Sequence, residues 1–185
     1  MNSNRNLLII AIVGLVLAAS AIMFLKPGSD AGANANVTQV TTTTFEDEVL
    51  DSTTPVVIDF YSENCQPCEQ YSPVFEKVSG DYVGKAKFVS VNVDKNPELA
   101  RMFGIQVVPT TMIVRPEANG TYSVGGVPGV LPEQALKQVL TMALDPATEL
   151  IPAKFEKDGN GNLTLLPVQT DPDPAPDVKD NPAKK

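Results

Sequence analysis

The feature that most limits how this chain can fold is an apolar run that stops at a pair of cysteines. Val56-Val57-Ile58 leads through Asp59-Phe60-Tyr61-Ser62-Glu63-Asn64 into Cys65-Gln66-Pro67-Cys68. The run reads as a buried strand, and the segment after Cys68 reads as a helix. A C-x-x-C pair at a strand-to-helix turn is a redox arrangement. Helix N-terminal amides and the helix dipole stabilise an anion there, so the first thiol ionises more readily than a free cysteine. The second thiol stands one turn away and can close a disulfide with the first. Asp59 is an acid inside an apolar strand, which is costly without a partner or a task. It is expected to serve the cysteines; the alternative is a structural acid satisfied by hydrogen bonds.

Composition removes several other chemistries. The 185 residues carry a net charge of −8 and include neither histidine nor tryptophan. There is no long basic run, so no nucleic-acid partner is expected. Without histidine, Ser-His and Cys-His catalysis drop out, along with the commonest metal ligand. No metal and no cofactor is expected. Two cysteines are too few for a disulfide-dense scaffold. Two plainer readings of them stay open. One is a purely structural disulfide, weak because so short a loop removes little unfolded-state entropy. The other is half a zinc site, whose missing ligands would require a dimer.

The chain divides by composition. A short segment, 1–6, precedes an uncharged apolar run at 7–25. A helix of that length just crosses a hydrocarbon core of about 30 Å. Arg5 before it and Lys26 after it favour, narrowly, a cytoplasmic N-terminus. The expectation is an uncleaved signal-anchor with the domain outside the cytoplasm, periplasmic or equivalent. The alternative is a cleaved signal peptide ending near Ala18-Ala19-Ser20-Ala21 and a secreted protein. Residues 26–36, rich in Gly, Ala and Asn, read as a flexible linker, and residues 37–146 as the domain. Residues 147–170 form an extension in which two strands flank Asp158-Gly159-Asn160-Gly161-Asn162 as a β-hairpin. That loop begins like a calcium loop, but Leu163 and Gln169 stand where glycine and a bidentate glutamate are needed. Residues 171–185 read as a proline-rich, acidic, disordered tail.

Within the domain, Val37 to Thr42 is a first strand, and Thr44 is the expected N-cap of a short helix. A second strand spans 56–61. The helix after Cys68 carries Tyr71, Val74, Phe75 and Val78 at helical spacing and ends at Gly84. A third strand covers 86–93, and a short helix starts at Asn96-Pro97. Another strand runs over 107–114. Asn119-Gly120 marks a hairpin, and a last helix begins at Pro132 or Glu133. Strands that alternate with helices imply parallel pairing, and the hairpin adds an antiparallel part, so the sheet is mixed.

The middle of the chain, roughly 41–144, resembles thioredoxin. The residues that carry the resemblance are Val57-Ile58-Asp59-Phe60, the C-x-P-C motif of Cys65, Pro67 and Cys68, then Pro73, Val91-Asn92-Val93-Asp94, Asn96-Pro97, Phe103-Gly104-Ile105, Val108-Pro109-Thr110 and Gly129. The resemblance implies a thioredoxin-like α/β fold, a mixed central β-sheet flanked by helices. It implies that Cys65 is the attacking thiolate and Cys68 the resolving thiol. Pro109 would be a cis-proline beside the disulfide, and the backbone of Val108 would pair with a substrate segment. Thr110, Tyr61, Asn64, Gln66 and Pro67 would complete the substrate-binding surface. Asp59 would lie beneath Cys68 and exchange a proton with it, which requires a pKa raised by burial.

Several positions depart from the family pattern. Asn64 stands where tryptophan usually precedes the first cysteine, and Tyr61 where a second tryptophan is typical. Ser90 takes the place of a buried lysine. Glu69 follows Cys68 where a basic residue is common, and Gln66-Pro67 replaces glycine-proline. The expected function is a membrane-anchored thiol-disulfide oxidoreductase acting on protein disulfides or dithiols. It would draw on a dithiol electron donor, membrane-bound or soluble. The alternatives are a disulfide donor (oxidase or isomerase) for exported proteins and a redox-inactive thioredoxin-fold scaffold.

Overall fold

The computed structural model describes residues 36–168. The apolar segment 7–25, the residues on either side of it up to 35, and the tail from 169 lie outside the described residues. Among the described residues no helix is long and apolar enough to cross a membrane.

The described elements, in order, are β1 (Val37–Gln39), a π-helical turn (Glu46–Leu50), β2 (Val56–Tyr61), α1 (Gln66–Asp81), β3 (Lys87–Asn92), α2 (Pro97–Met102), β4 (Thr110–Pro116), β5 (Tyr122–Pro128), α3 (Glu133–Ala143), β6 (Ile151–Lys157) and β7 (Leu163–Pro167). All seven strands join one sheet in the order β1-β3-β2-β4-β5-β6-β7. β1 and β2 run parallel to β3. Alternation of strands and helices predicted the same for β4, but β4 is antiparallel to β2. The chain re-enters beside the end of β2, with Thr110 opposite Phe60. In that register Ile113 lies opposite Val57 in the core under α1 and α3, and Val114 lies opposite Val56 in the other core, so both faces of β4 are buried with like neighbours.

Strand periodicity divides β2 between two cores. Val56, Ile58 and Phe60 face a cluster that includes Phe45, Val89, Val91, Leu99 and Phe103. Val57 faces Tyr71, Phe75 and Val78 of α1 and Leu136 and Leu140 of α3. Asp59, two residues on from Val57, points to that second side.

Three local expectations change. Thr44 is not an N-cap: its hydroxyl accepts the Thr41 N–H at 3.0 Å. The turn that follows closes by an Asp51 N–H to Glu46 carbonyl bond, five residues apart. The strand expected from 107 begins at Thr110, because Val107 to Pro109 form a bend. The hairpin of the 147–170 extension extends the main sheet, with Tyr122 on β5 opposite Ala153 on β6.

Arg115 ties that hairpin to the body of the domain. It is buried on β4, and its guanidinium donates to the carbonyls of Ala143, Asp145 and Thr148 at 2.8–3.1 Å. It thereby caps the C-terminus of α3, where a cation is favoured, and holds the link into β6. Phe155 of β6 packs against Phe45, Phe103 and Tyr122. The Asp158 carboxylate accepts the N–H groups of Asn160 and Asn162 and the Asn162 amide. Its oxygens thus stabilise the hairpin turn.

Candidate redox site

The loop between β2 and α1 is held by the end of β3. Ser62 Oγ donates to Asp94 Oδ2 at 2.6 Å. The Glu63 carboxylate accepts from Asn92 Nδ2 at 3.1 Å and pairs with Lys95. Asn92, itself buried, accepts the Asp94 and Lys95 N–H groups through Oδ1. The Asn92-Val93-Asp94 stretch therefore fixes the approach to Cys65, two strands and a turn working as one support.

Cys65 is the N-cap residue of α1 and is joined to Cys68 by a disulfide, with Cα atoms 5.2 Å apart. Its Sγ accepts the Cys68 N–H at 3.2 Å. Its carbonyl accepts the Cys68 and Glu69 N–H groups. The sulfur thus sits on the otherwise unpaired amides of a helix start, which favour a thiolate once the bond is reduced. Both cysteines are buried, while Asn64, Gln66 and Pro67 around them are exposed. Glu69, exposed in the first turn, opposes that thiolate with its own charge.

Cys65 Sγ lies 3.7 Å from the carbonyl oxygen of Val108. The Val108–Pro109 peptide is cis. The loop is held from both sides. Thr110 Oγ1 donates to the Val107 carbonyl at 2.7 Å, and the Gly129 N–H donates to the Pro109 carbonyl at 2.8 Å. Gly129 has φ of +90°, a conformation that favours glycine. Among the described residues Val108 makes no backbone–backbone hydrogen bond, and its carbonyl meets Cys65 Sγ alone. Val107 and Val130 beside it are exposed.

Asp59 is 4% exposed, and its Oδ1 has no hydrogen-bond partner. Burial pushes its pKa up to about 7. In the sheet it lies between Ser90 on β3 and Thr111 on β4. Thr111 is hydrogen-bonded, hydroxyl to hydroxyl, to Tyr71 of α1 at 2.6 Å. Burial, with the Asp59 charge in addition, raises the Tyr71 phenol well above the usual tyrosine range.

The structure thus brings Cys65, Cys68, Val108, Pro109 and Thr110 together, with Asn64, Gln66 and Pro67 at the rim. Asp59 lies on the sheet face covered by the helix that carries the cysteines. Tyr61 is turned elsewhere. Its hydroxyl accepts from Gln39 Nε2 at 2.8 Å, on β1, the side of β2 opposite to β4. Sequence reasoning counted Tyr71 only as an apolar helix position and did not single out Thr111. A phenol at a core position gives no local sign that it has a polar partner.

A family model described as Thioredoxin matches residues 36–142. Thioredoxin 1 of Nostoc sp. (strain PCC 7120) is 43% identical over 102 residues, covering 55% of this chain and 92% of that protein. The thioredoxin of Synechocystis sp. (strain PCC 6803) is 38% identical over 102 residues, 55% of this chain and 95% of its own length. Among solved structures, chloroplastic thioredoxin z superposes with a TM-score of 0.52 at 25% identity, covering 60% of this chain and 96% of that one. The family match ends within α3, so β6 and β7 lie beyond it.

Proposed function

This chain belongs to the thioredoxin family, and on that premise we propose that it is a membrane-anchored protein-disulfide reductase whose domain works outside the cytoplasm. It is a thiol-disulfide oxidoreductase with Cys65 and Cys68 as its redox pair. The observation that carries the chemistry is the seat of Cys65 Sγ. It lies on the helix-start amides and beside the Val108 carbonyl.

In the reduced state the Cys65 thiolate attacks one sulfur of a substrate disulfide. A mixed disulfide forms, and the other substrate sulfur leaves as a thiolate. The Cys68 sulfur, its proton passed to Asp59, then attacks Cys65. The Cys65–substrate bond breaks, and the Cys65–Cys68 bond forms. The substrate disulfide gains two electrons, and the cysteine pair loses them to become the disulfide seen here. The Val108 backbone, which joins no strand, offers an extended substrate segment a strand-like partner.

The uncharged run 7–25 supports the anchor. An external dithiol donor must then restore the reduced pair. Cys65→Ser in the full chain is expected to abolish dithiothreitol-coupled reduction of a protein disulfide; retained activity overturns the reading. Direction is decided by the reduction potential. A value below about −240 mV fits a reductase, and one above about −180 mV an oxidant or isomerase. Release of the full chain from membranes by alkaline carbonate would overturn the anchor.

A further inference from the structure

Tyr71 and Thr111 are wholly buried, and their only polar atoms beyond the backbone meet each other. Two hydroxyls in an apolar layer lose their water, and one shared hydrogen bond returns only part of that cost. Phenylalanine and valine would fill the same space without it. The position of the pair gives the hydroxyls a task. Thr111 stands directly opposite Asp59 in the antiparallel β2–β4 ladder. Such residues have Cβ atoms about 4.5–5.5 Å apart. Tyr71 follows Cys68 by one helical turn, on the same face of α1. The Asp59 charge acts on the Tyr71 phenol, so carboxyl and phenol lie within electrostatic reach.

Besides this pair, the hydroxyl residue beside Asp59 is Ser90 on β3; α3 presents Leu136 and Leu140, and α1 presents Tyr71 and Cys68. Among the described residues no cation acts on Asp59, whose shift comes from burial. Its Oδ1 is without a partner in the disulfide form.

Two hydroxyls carry two protons, and the bond between them uses one. When Tyr71 donates to Thr111, the Thr111 proton is left to turn toward Asp59. We propose that Tyr71 and Thr111 are positioning residues for the resolving step, directing the Thr111 O–H to the Asp59 carboxylate and holding it ready to take the Cys68 proton. The inference rests on the oxidoreductase reading and adds to it a hydroxyl pair where a cation is absent. In the step, the Cys68 S–H bond breaks and its proton passes to Asp59. The Cys68–Cys65 bond forms as the Cys65–substrate bond breaks. The departing substrate thiolate takes up a proton from Asp59 or from water.

A hydrogen bond donated to a carboxylate favours its charged form. Losing it should move the Asp59 titration, and the pH at which resolution reaches half its maximum rate, upward by about one pH unit. The test uses the full chain, reduced with dithiothreitol and labelled with 13C at aspartate carboxyls. The Asp59 signal is assigned by its loss in Asp59→Asn. Carboxyl titration and the pH profile of single-turnover reduction of a protein disulfide are read side by side. Thr111→Val and Tyr71→Phe are expected to shift both curves upward, and Thr111→Ser, which keeps the hydroxyl, to restore the wild-type curves. Superposable curves for Thr111→Val and wild type overturn the proposal, as does an equal shift in Thr111→Ser. Should Tyr71→Phe fail to fold, the valine and serine variants decide alone. A wild-type chain that reduces no disulfide would sink the functional reading instead. The carboxyl titration needs no turnover and still reads the hydroxyl pair.

Discussion

On one side of β2, Val56, Ile58 and Phe60 enter a core built around aromatic rings. Phe103 lies 5.3 Å from Phe60, 5.7 Å from Phe45 and 6.0 Å from Phe155, ring centre to ring centre. On the other side, Val57 enters an equally buried core, but Asp59 stands two residues along, with Tyr71 and Thr111 around it. Burial is the same on both sides and its effect is opposite. Around Phe103, exclusion of water is pure gain in stability. Around Asp59, it opposes the charged carboxylate and brings the proton affinity near neutrality. The thin layer of β2 separates a face that holds the fold from a face that tunes chemistry.

The largest effect should come from the aromatic side. Phe103→Ala removes the ring shared by three neighbours and should cost about 3–5 kcal/mol, equally at every pH. Chemical denaturation of the oxidised protein at pH 5 and pH 8 checks this, and a loss that varies strongly with pH would break the distinction between the faces.

Asp59→Asn tests the opposite side. The folded-state pKa of about 7 exceeds the ordinary 3.8. The folded protein therefore holds a proton that the unfolded chain has released. Stability from this group is complete below about pH 4 and falls as pH rises through 7, by about 4 kcal/mol in all. The wild type should thus lose stability between pH 4 and pH 8 in the oxidised form. The asparagine variant should lack that slope and be the more stable above pH 7. Parallel curves for the two proteins would refute the assignment.

Arg115→Met sharpens the comparison, because Arg115 shares the Asp59 face yet each of its guanidinium nitrogens has a partner. Removing its guanidinium strips three carbonyls of their donor and should cost about 2–3 kcal/mol. Amide exchange should accelerate most in residues 151–167, the hairpin it ties down; uniform acceleration would deny that role. The smallest effect belongs to Lys157→Ala. It breaks the 2.7 Å ion pair with Glu46, which is half-exposed on both sides, so a loss under about 1 kcal/mol is expected. A larger loss by thermal unfolding would make the hairpin's hold on the Glu46 turn electrostatic rather than aromatic.

The site was legible where its parts are neighbours in the chain. Cys65, Cys68 and Pro67 declare themselves in four residues, and the resemblance added Pro109 and the setting of Asp59. Tyr61 was not legible in the same way. Its ring takes its direction from Gln39, two strands over, and no local pattern contains that partner. Tyr71 showed only its helical spacing, since a core phenol and a core phenylalanine look alike until Thr111, forty residues on, is placed opposite Asp59.

Local order of strands and helices, the redox turn, the Asn119-Gly120 hairpin and the two-stranded segment around Asp158 follow from periodicity and turn chemistry, which act over a few residues. The antiparallel entry of β4, the pairing of β6 onto β5, the reach of Arg115 to three carbonyls and the meeting of Tyr71 with Thr111 depend on register between distant segments. Register is set by which faces can be buried together and by the reach of the connections. It therefore exists only once the whole sheet has formed.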